Sequence, residues 1–185
     1  RSVVIEDLLC RPSVELDLDA QRAWLSDRVV MVTGSAGSIG AEICRQLLRL
    51  RPSKLVLVDR AETGQFFLER ELRQLASGID LDVRLGDLAD RMRVETLLSE
   101  TQPDVIIHAA AYKHVPLMES NCGEAVRNIV LATRNLVDLA SRYAVQALVM
   151  ISTDKAVNPT SVMGLCKRMA ENYVQTRAFG STCRM

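Results

Sequence analysis

Two clusters of residues in this sequence have the types and spacing for chemistry. The first, Thr33-Gly34-Ser35-Ala36-Gly37-Ser38-Ile39-Gly40, follows the apolar run Val29-Val30-Met31-Val32 and leads into apolar residues at Ile39, Ile43, Leu47 and Leu50. That pattern predicts a buried strand, a tight turn and an amphipathic helix. Glycines three residues apart let the chain turn sharply, approach a ligand closely and pack helix on strand. The helix start then offers free N–H groups and roughly half a positive charge to a pyrophosphate. A second apolar run, Lys54 to Val58, ends at Asp59, nineteen residues past Gly40, where a carboxylate can accept hydrogen bonds from a ribose diol. Arg60 beside it leaves both NAD and NADP open, because a guanidinium can hold a phosphate. The plainer alternative is a glycine turn used only for packing, but here strand, turn, helix and acidic residue stand in the order a dinucleotide site requires.

The second cluster is Ser152-Thr153-Asp154-Lys155, followed by Met163 and Lys167 one helical turn apart on one face. Hydroxyls, a carboxylate and an amine side by side suit proton transfer. Lys167 is placed to hold a nicotinamide ribose and to bias nearby proton transfers electrostatically. Taken singly, Lys155 and Lys167 read as ordinary surface lysines; the convergence of the two clusters favours a site.

Alternating strand and helix patterns supply the frame for both clusters. Glu62 to Ala76 predicts a helix with Phe67, Leu68, Leu72 and Leu75 on its apolar face, closed by Ser77-Gly78. Leu81 to Leu85 reads as a strand, and Asp90 as the cap of a helix through Leu98, with Met92, Val94, Leu97 and Leu98 apolar. Val105-Ile106-Ile107 is a fourth strand, Asn121 to Tyr143 one long helix, Ala147 to Ile151 a fifth strand and Ser161 to Phe179 a further helix. This order predicts an α/β fold, a Rossmann-like doubly wound parallel sheet, with ligands beyond the carboxyl ends of its strands. The polar residues do collect at those ends. They include Gly86-Asp87-Leu88, where Asp87 either accepts from an adenine amino group or caps the strand end, and the stretch His108 to His114. The two histidines have no third ligand nearby and suit packing or cofactor contact, not a metal.

Lysine plus arginine number 23, as do aspartate plus glutamate, and no basic run stands out. Nucleic acid and acidic membrane surfaces are therefore not expected partners. Cys10, Cys44, Cys122, Cys166 and Cys183 are scattered without C-x-x-C spacing, which reads as reduced thiols, not disulfides or zinc ligands. No apolar run approaches the roughly eighteen residues of a membrane span, and no signal peptide opens the chain. Residues 1–27 read as a lead-in, either a linker or an oligomer contact. There Val3-Val4-Ile5 and Leu8-Leu9 could pack on the domain, Pro12 breaks the chain, and Asp19 to Leu25 forms a helical turn anchored by Trp24. Residues 28–185 read as an NAD(P)-binding domain. Beginning at Arg1 and ending at Met185, the chain looks excised from something longer.

Four motifs carry a family resemblance. Thr33-Gly34 through Gly40, Gly86-Asp87, the stretch His108-Ala109-Ala110-Ala111-Tyr112-Lys113-His114-Val115-Pro116-Leu117-Met118-Glu119, and Ser152-Thr153-Asp154-Lys155-Ala156-Val157-Asn158-Pro159-Thr160 together resemble the extended short-chain dehydrogenase/reductases. Within them the chain is similar to the polysaccharide-biosynthesis nucleotide-sugar 4,6-dehydratases, which act on UDP-N-acetylglucosamine. The likeness runs from about Arg28 to Lys167. It implies cofactor contacts from Gly34, Ser35, Gly37, Ser38, Ile39, Gly40, Asp59, Arg60, Asp87, Leu88, Ala109, Ala110 and Lys167, and a catalytic cluster of Thr153, Asp154, Lys155, Met163 and Lys167.

Met163 stands where the wider superfamily has its tyrosine, and a thioether cannot exchange a proton. A branch of long, membrane-anchored dehydratases is similar in carrying methionine there. The resemblance thus implies a UDP-sugar substrate and recycled NAD or NADP, with Lys155 as base at carbon 5, Asp154 as acid for the leaving hydroxyl and Thr153 orienting the carbon 4 hydroxyl. As base, Lys155 would need a depressed pKa, from a dry pocket and nearby Lys167. The resemblance further implies a domain on the cytoplasmic side of a bacterial inner membrane, in a parent anchored through an N-terminal region and with homo-oligomerisation open. Family members continue past this point into a remaining strand and a substrate-binding portion, so the chain alone is expected to bind cofactor weakly or not at all and to turn over little. An epimerase of the same superfamily and a dinucleotide-binding module without turnover are the alternatives.

Overall fold

The computed structural model describes residues 17–75 and 78–185; the expectations for Val3 to Pro12, for Cys10 and for Ser77 lie outside the described residues. Five strands, β1 (Val29–Thr33), β2 (Lys54–Asp59), β3 (Asp80–Leu85), β4 (Val105–His108) and β5 (Ala147–Met150), form one wholly parallel sheet in the order β3-β2-β1-β4-β5. Parallel neighbours need crossovers, and helices supply them. α1 (Leu18–Leu25) precedes the sheet, and α2 (Ser38–Leu50), α3 (Glu62–Leu75) and α4 (Arg91–Thr101) follow the first three strands. Between β4 and β5 run α5 (Val115–Ser120), α6 (Cys122–Ala125), a π-helical turn (Val126–Leu131) and α7 (Ala132–Arg142); α8 (Val162–Ala178) comes last. The fold is the Rossmann-like α/β arrangement expected.

Alternation along the strands sorts their apolar side chains to two faces. Val30, Val32, Leu55, Leu57 and Val105 pack with Cys44, Leu47 and Leu48 of α2 and with Leu68 and Leu72 of α3. Met31, Val56, Val58, Ile106 and Leu148 pack on the other face with Val94, Leu97 and Leu98 of α4 and with Leu136, Val137 and Leu139 of α7. Both faces are covered, which is why β1 and β2 read as unbroken apolar runs. Each fully buried aliphatic side chain stabilises this core by about 1.5–3 kcal/mol. After α8 the chain returns to the sheet, where Arg184 bridges Ala147 in parallel beside β5.

Several expectations need correction. Trp24 is no packing anchor: it is 42% exposed, and its neighbour Leu25 is the buried residue. The Arg28 guanidinium lies 5.6 Å from the Trp24 ring instead. On α3, Phe67 is 62% exposed and Leu75 is exposed too; the buried stripe is Gln65, Leu68 and Leu72. Adjacent helical residues diverge by about 100°, so turning Leu68 to the sheet turns Phe67 away from it. Met92 and Ile39, each in the first turn of its helix, also face outward. The helix expected over 121–143 does form, continuous from Cys122 to Arg142, but it contains a π-helical turn at Val126–Leu131, and α5 precedes it.

Candidate active site

The sheet order changes direction between β1 and β4, so the loops after these strands separate and leave a crevice beyond the carboxyl ends. Its wide part, about 740 Å³, is lined by the glycine turn, Asp59, the loop from Ala109 to His114, Ile151 to Thr153, Lys155, Met163 and Lys167. That volume falls within the range of small-molecule sites, about 300–1,000 Å³. A narrower arm runs from Gly34 and Gly37 past Asp59 and Arg60 to Gly86, Asp87 and Leu88, with Ala109, Ala110 and Asn128 opposite.

The backbone of the turn can exist only with glycine. Gly34 sits at φ +72°, where an added Cβ would lie 2.5 Å from the Ala110 amide nitrogen. At Gly40 a Cβ would lie 2.0 Å from the Gly34 carbonyl oxygen. Gly37 begins α2 with no side-chain cap, and no acidic residue occupies the first turn. The first N–H groups of α2 therefore have no side-chain acceptor and line the crevice at Ser38, Ile39 and Gly40. A cradle of this kind suits a diphosphate, so the residues present fit a dinucleotide.

Most of the expected cofactor residues meet in this crevice. Ser35 is the exception. It is fully buried, and its hydroxyl donates to Gln65 Oε1 at 2.9 Å, so it belongs to the packing beneath the turn. Asp59 accepts from the Ala36 amide at 3.1 Å and from the Ala61 amide at 2.9 Å, which holds its carboxylate at the crevice edge. Asp87 accepts from the Ala89 amide at 2.9 Å, so the strand-end capping reading holds whatever else it does.

The second cluster is built by a short 3₁₀ turn, Asp154–Ala156, packed against the start of α8. The contact is close because Gly164 has no side chain; a Cβ there would lie 2.4 Å from the Lys155 carbonyl oxygen. Ser161 caps α8 by accepting from the Gly164 amide at 3.1 Å, and Glu119 of α5 accepts from the Val162 amide at 2.7 Å. These contacts bring Met163 and Lys167 to the wall that Thr153 and Lys155 also line.

Lys167 is buried, and its ammonium donates to the Ile151 carbonyl at 3.0 Å. Burial pushes it below the usual lysine value, with the Glu171 carboxylate opposing. Lys155 is half exposed, with its ammonium 3.3 Å from Asp154 Oδ1. Asp154 stands apart, with its side chain 86% exposed and outside the crevice lining. Hydrogen bonds from the Thr153 hydroxyl and the Lys155 ammonium hold its carboxyl below the usual range.

His108 lies under the floor, not in the crevice. Its Nδ1 is 2.7 Å from Thr33 Oγ1 and its Nε2 is 3.1 Å from Thr133 Oγ1. Burial, with a smaller contribution from Lys167, lowers its pKa from 6.5 to about 3. Between those values the unfolded chain takes a proton that the folded chain refuses, so stability falls as pH drops from about 6.5 towards 3. The slope expected of one such proton is about 1.4 kcal/mol per pH unit. Urea unfolding of His108→Asn and the unaltered protein between roughly pH 4 and 7 checks this: the substitution should reduce overall stability and flatten the acid slope by that amount. An unchanged slope would mean that His108 is not the group refusing the proton.

Two site-supporting residues, Gln65 and Asn128, carried no expectation from the sequence, and a third, Glu119, carried no expected role. Gln65 Nε2 donates to the Leu57 carbonyl at 3.0 Å and the Arg84 carbonyl at 3.3 Å, tying the glycine turn to β2 and β3. Its signal was a polar residue in register with Leu68 and Leu72. Asn128, within the π-helical turn, accepts from the Tyr112 amide at 2.8 Å. Glu119 closes the third of the family motifs, but only the fold shows its carboxylate fixing the start of α8. The free thiols Cys44, Cys166 and Cys183 are buried and Cys122 is exposed. Among the described residues no cluster of His, Cys, Asp or Glu is arranged to hold a metal, and no helix is long and apolar enough to cross a membrane.

The family model described as "Polysaccharide biosynthesis protein" matches residues 30–182. The chain is 42% identical over 177 residues to the capsular polysaccharide biosynthesis protein CapD of Staphylococcus aureus, covering 95% of this chain and 30% of that protein. It is 31% identical over 139 residues to an inverting UDP-N-acetylglucosamine 4,6-dehydratase of Campylobacter jejuni, covering 75% of this chain and 40% of the other; UDP-glucose 4-epimerases are also among its relatives. The structure of Pen from Bacillus thuringiensis superposes with a TM-score of 0.79 at 29% identity, covering 86% of this chain and 48% of that one. The chain spans less than half the length of each of these three proteins.

Proposed function

The chain belongs to the polysaccharide biosynthesis protein family of the extended short-chain dehydrogenase/reductases, and from that premise we propose that its crevice serves a nucleotide-sugar 4,6-dehydratase using NAD or NADP. The observation that carries the reading is Met163 beside Lys167, Lys155 and Thr153, on one wall of the crevice that the glycine turn opens. A wall with methionine at the tyrosine position lacks the phenol that ordinary dehydrogenases and epimerases of the superfamily use. The likeness to a dehydratase named for UDP-N-acetylglucosamine supports a UDP-sugar as the substrate class.

In this proposal the glycine turn and the start of α2 hold the pyrophosphate, Asp59 the adenosine ribose and Lys167 the nicotinamide ribose. Once bound, the cofactor would take hydride from carbon 4 of the sugar and return it to carbon 6, so none is consumed. Thr153 orients the carbon 4 hydroxyl, whose proton passes through the Thr153 hydroxyl to the Asp154 carboxylate that this hydroxyl already contacts at 2.9 Å. Lys155 removes the carbon 5 proton, which the carbon 4 carbonyl has made acidic, while Asp154 passes the proton taken from the carbon 4 hydroxyl to the carbon 6 hydroxyl, which leaves as water; Lys155 then returns its proton to carbon 5 as carbon 6 is reduced. For Asp154 the substrate must reverse the present balance, because its two hydrogen bonds favour the ionised form. A cytoplasmic domain in a longer, membrane-anchored and self-associating protein belongs to the same proposal.

The test is to incubate the full-length protein with UDP-N-acetylglucosamine and weigh the product. Loss of one water is expected. An isomer of unchanged mass would make the protein an epimerase, and untouched substrate with bound cofactor would make it a binding module.

A further inference from the structure

Asp59 and Arg60 stand side by side at the end of β2, and their charges favour opposite ligands. A carboxylate accepts from a free ribose diol, whereas a guanidinium holds a 2′-phosphate. The two side chains are restrained differently. Asp59 is fixed from two elements, by the Ala36 amide of the glycine turn and the Ala61 amide ahead of α3, so it cannot swing away from the crevice edge.

Arg60 is drawn the other way. Its guanidinium lies 4.5 Å from the centre of the Tyr112 ring, hydrogen-bonds the Tyr112 hydroxyl and ion-pairs with Asp87 Oδ2 at 3.7 Å. Both anchors are themselves held, Tyr112 through its amide to Asn128 and Asp87 by the Ala89 amide. The tether thus spans the narrow arm from the loop after β4 to the end of β3. Asp59 and Asp87 against Arg60 leave one net negative charge at this end of the crevice, and a 2′-phosphate would add up to two more.

We propose that Tyr112 and Asp87, by tethering Arg60, set selectivity at the ribose 2′ position, and that the crevice prefers NAD to NADP. The proposal rests on the dinucleotide reading above and is independent of whether the reaction is dehydration. Tyr112 and Asp87 act as positioning residues through Arg60.

Fluorescence titration of the full-length protein with NADH and NADPH tests it. NADH is expected to bind at least about tenfold more tightly, since like charges a few ångströms apart at a protein surface repel strongly. Tyr112→Leu and Asp87→Asn should each free Arg60 and shift the NADPH:NADH affinity ratio by about tenfold towards NADPH. Adding Arg60→Ala to Tyr112→Leu should cancel that shift. A merely structural role would lower both affinities together and leave the ratio unchanged, which would overturn the proposal. Tighter binding of NADPH by the unaltered protein would also overturn it while leaving the dinucleotide site standing. Binding of neither nucleotide would remove both readings.

Discussion

Lys155→Ala is expected to lower turnover of the nucleotide sugar by about 10²–10⁴-fold, the usual contribution of a positioned general base, with dinucleotide binding nearly unchanged. The separation follows from geometry. Lys155 lines the crevice from the 3₁₀ turn beside α8, whereas the glycine turn and Asp59 border it from β1 and β2. The side chain is half exposed and its one ion-pair partner, Asp154, is exposed too, so its removal leaves no buried group unpaired and costs stability little. Two measurements read the role directly: release of product lighter by one water, and wash-in of solvent deuterium at carbon 5 of the sugar. Both should fall together. A variant that exchanges deuterium at the unaltered rate would move the base elsewhere, and full turnover would remove Lys155 from the mechanism.

Gly40→Ala is expected to cost the folded state several kcal/mol and to abolish measurable dinucleotide binding. The new Cβ would lie 2.0 Å from the Gly34 carbonyl oxygen, 2.7 Å from the Gly34 carbonyl carbon and 2.9 Å from Ser35 Cα. All three are backbone atoms, so no side-chain rotation relieves the overlap and the turn itself must shift. Overpacking by one methyl ordinarily costs about 1–3 kcal/mol, and a contact this close with main chain belongs at or above the top of that range. The turn cannot shift freely either, because Ser35 is locked to Gln65 and Ala36 to Asp59. Gly123→Ala is the internal control: nothing lies within 4 Å of its Cβ position, and reduced freedom of the unfolded chain should make that change neutral or slightly stabilising. Denaturant unfolding of both variants, with NADH titration, checks the pair. Comparable stability of the two would show that the turn deforms more easily than its contacts imply.

Local elements were largely legible from apolar spacing, because spacing of this kind is an intrinsic property of a strand or helix. The runs at β1, β2 and β4 appeared as strands since both sheet faces are covered there. The exposure of Phe67, Ile39 and Met92 was not legible. Each is apolar within a helical stretch, but which side of a helix meets the sheet is decided by the neighbouring elements. Trp24 was misread for the same reason: its size suggested an anchor, while Leu25 occupies the inward direction. The π turn carries no residue signature, and with it the position of Asn128 was hidden.

The sequence by itself determined the order of strands and helices, the glycine turn with its acidic partner, and the residues of the second cluster, including the methionine at Met163. These depend on short spacings and on backbone rules that act within a few residues. Only the tertiary structure decided what shares the crevice. Parallel pairing of β1 with β4 and β4 with β5 carries Lys155 and Lys167 to the glycine turn, more than a hundred residues away in the chain. It also turned Ser35 inward, left Asp154 in solvent and tied Arg60 to Tyr112 and Asp87. Side-chain direction depends on which long-range contact captures each group, and no local pattern encodes that outcome.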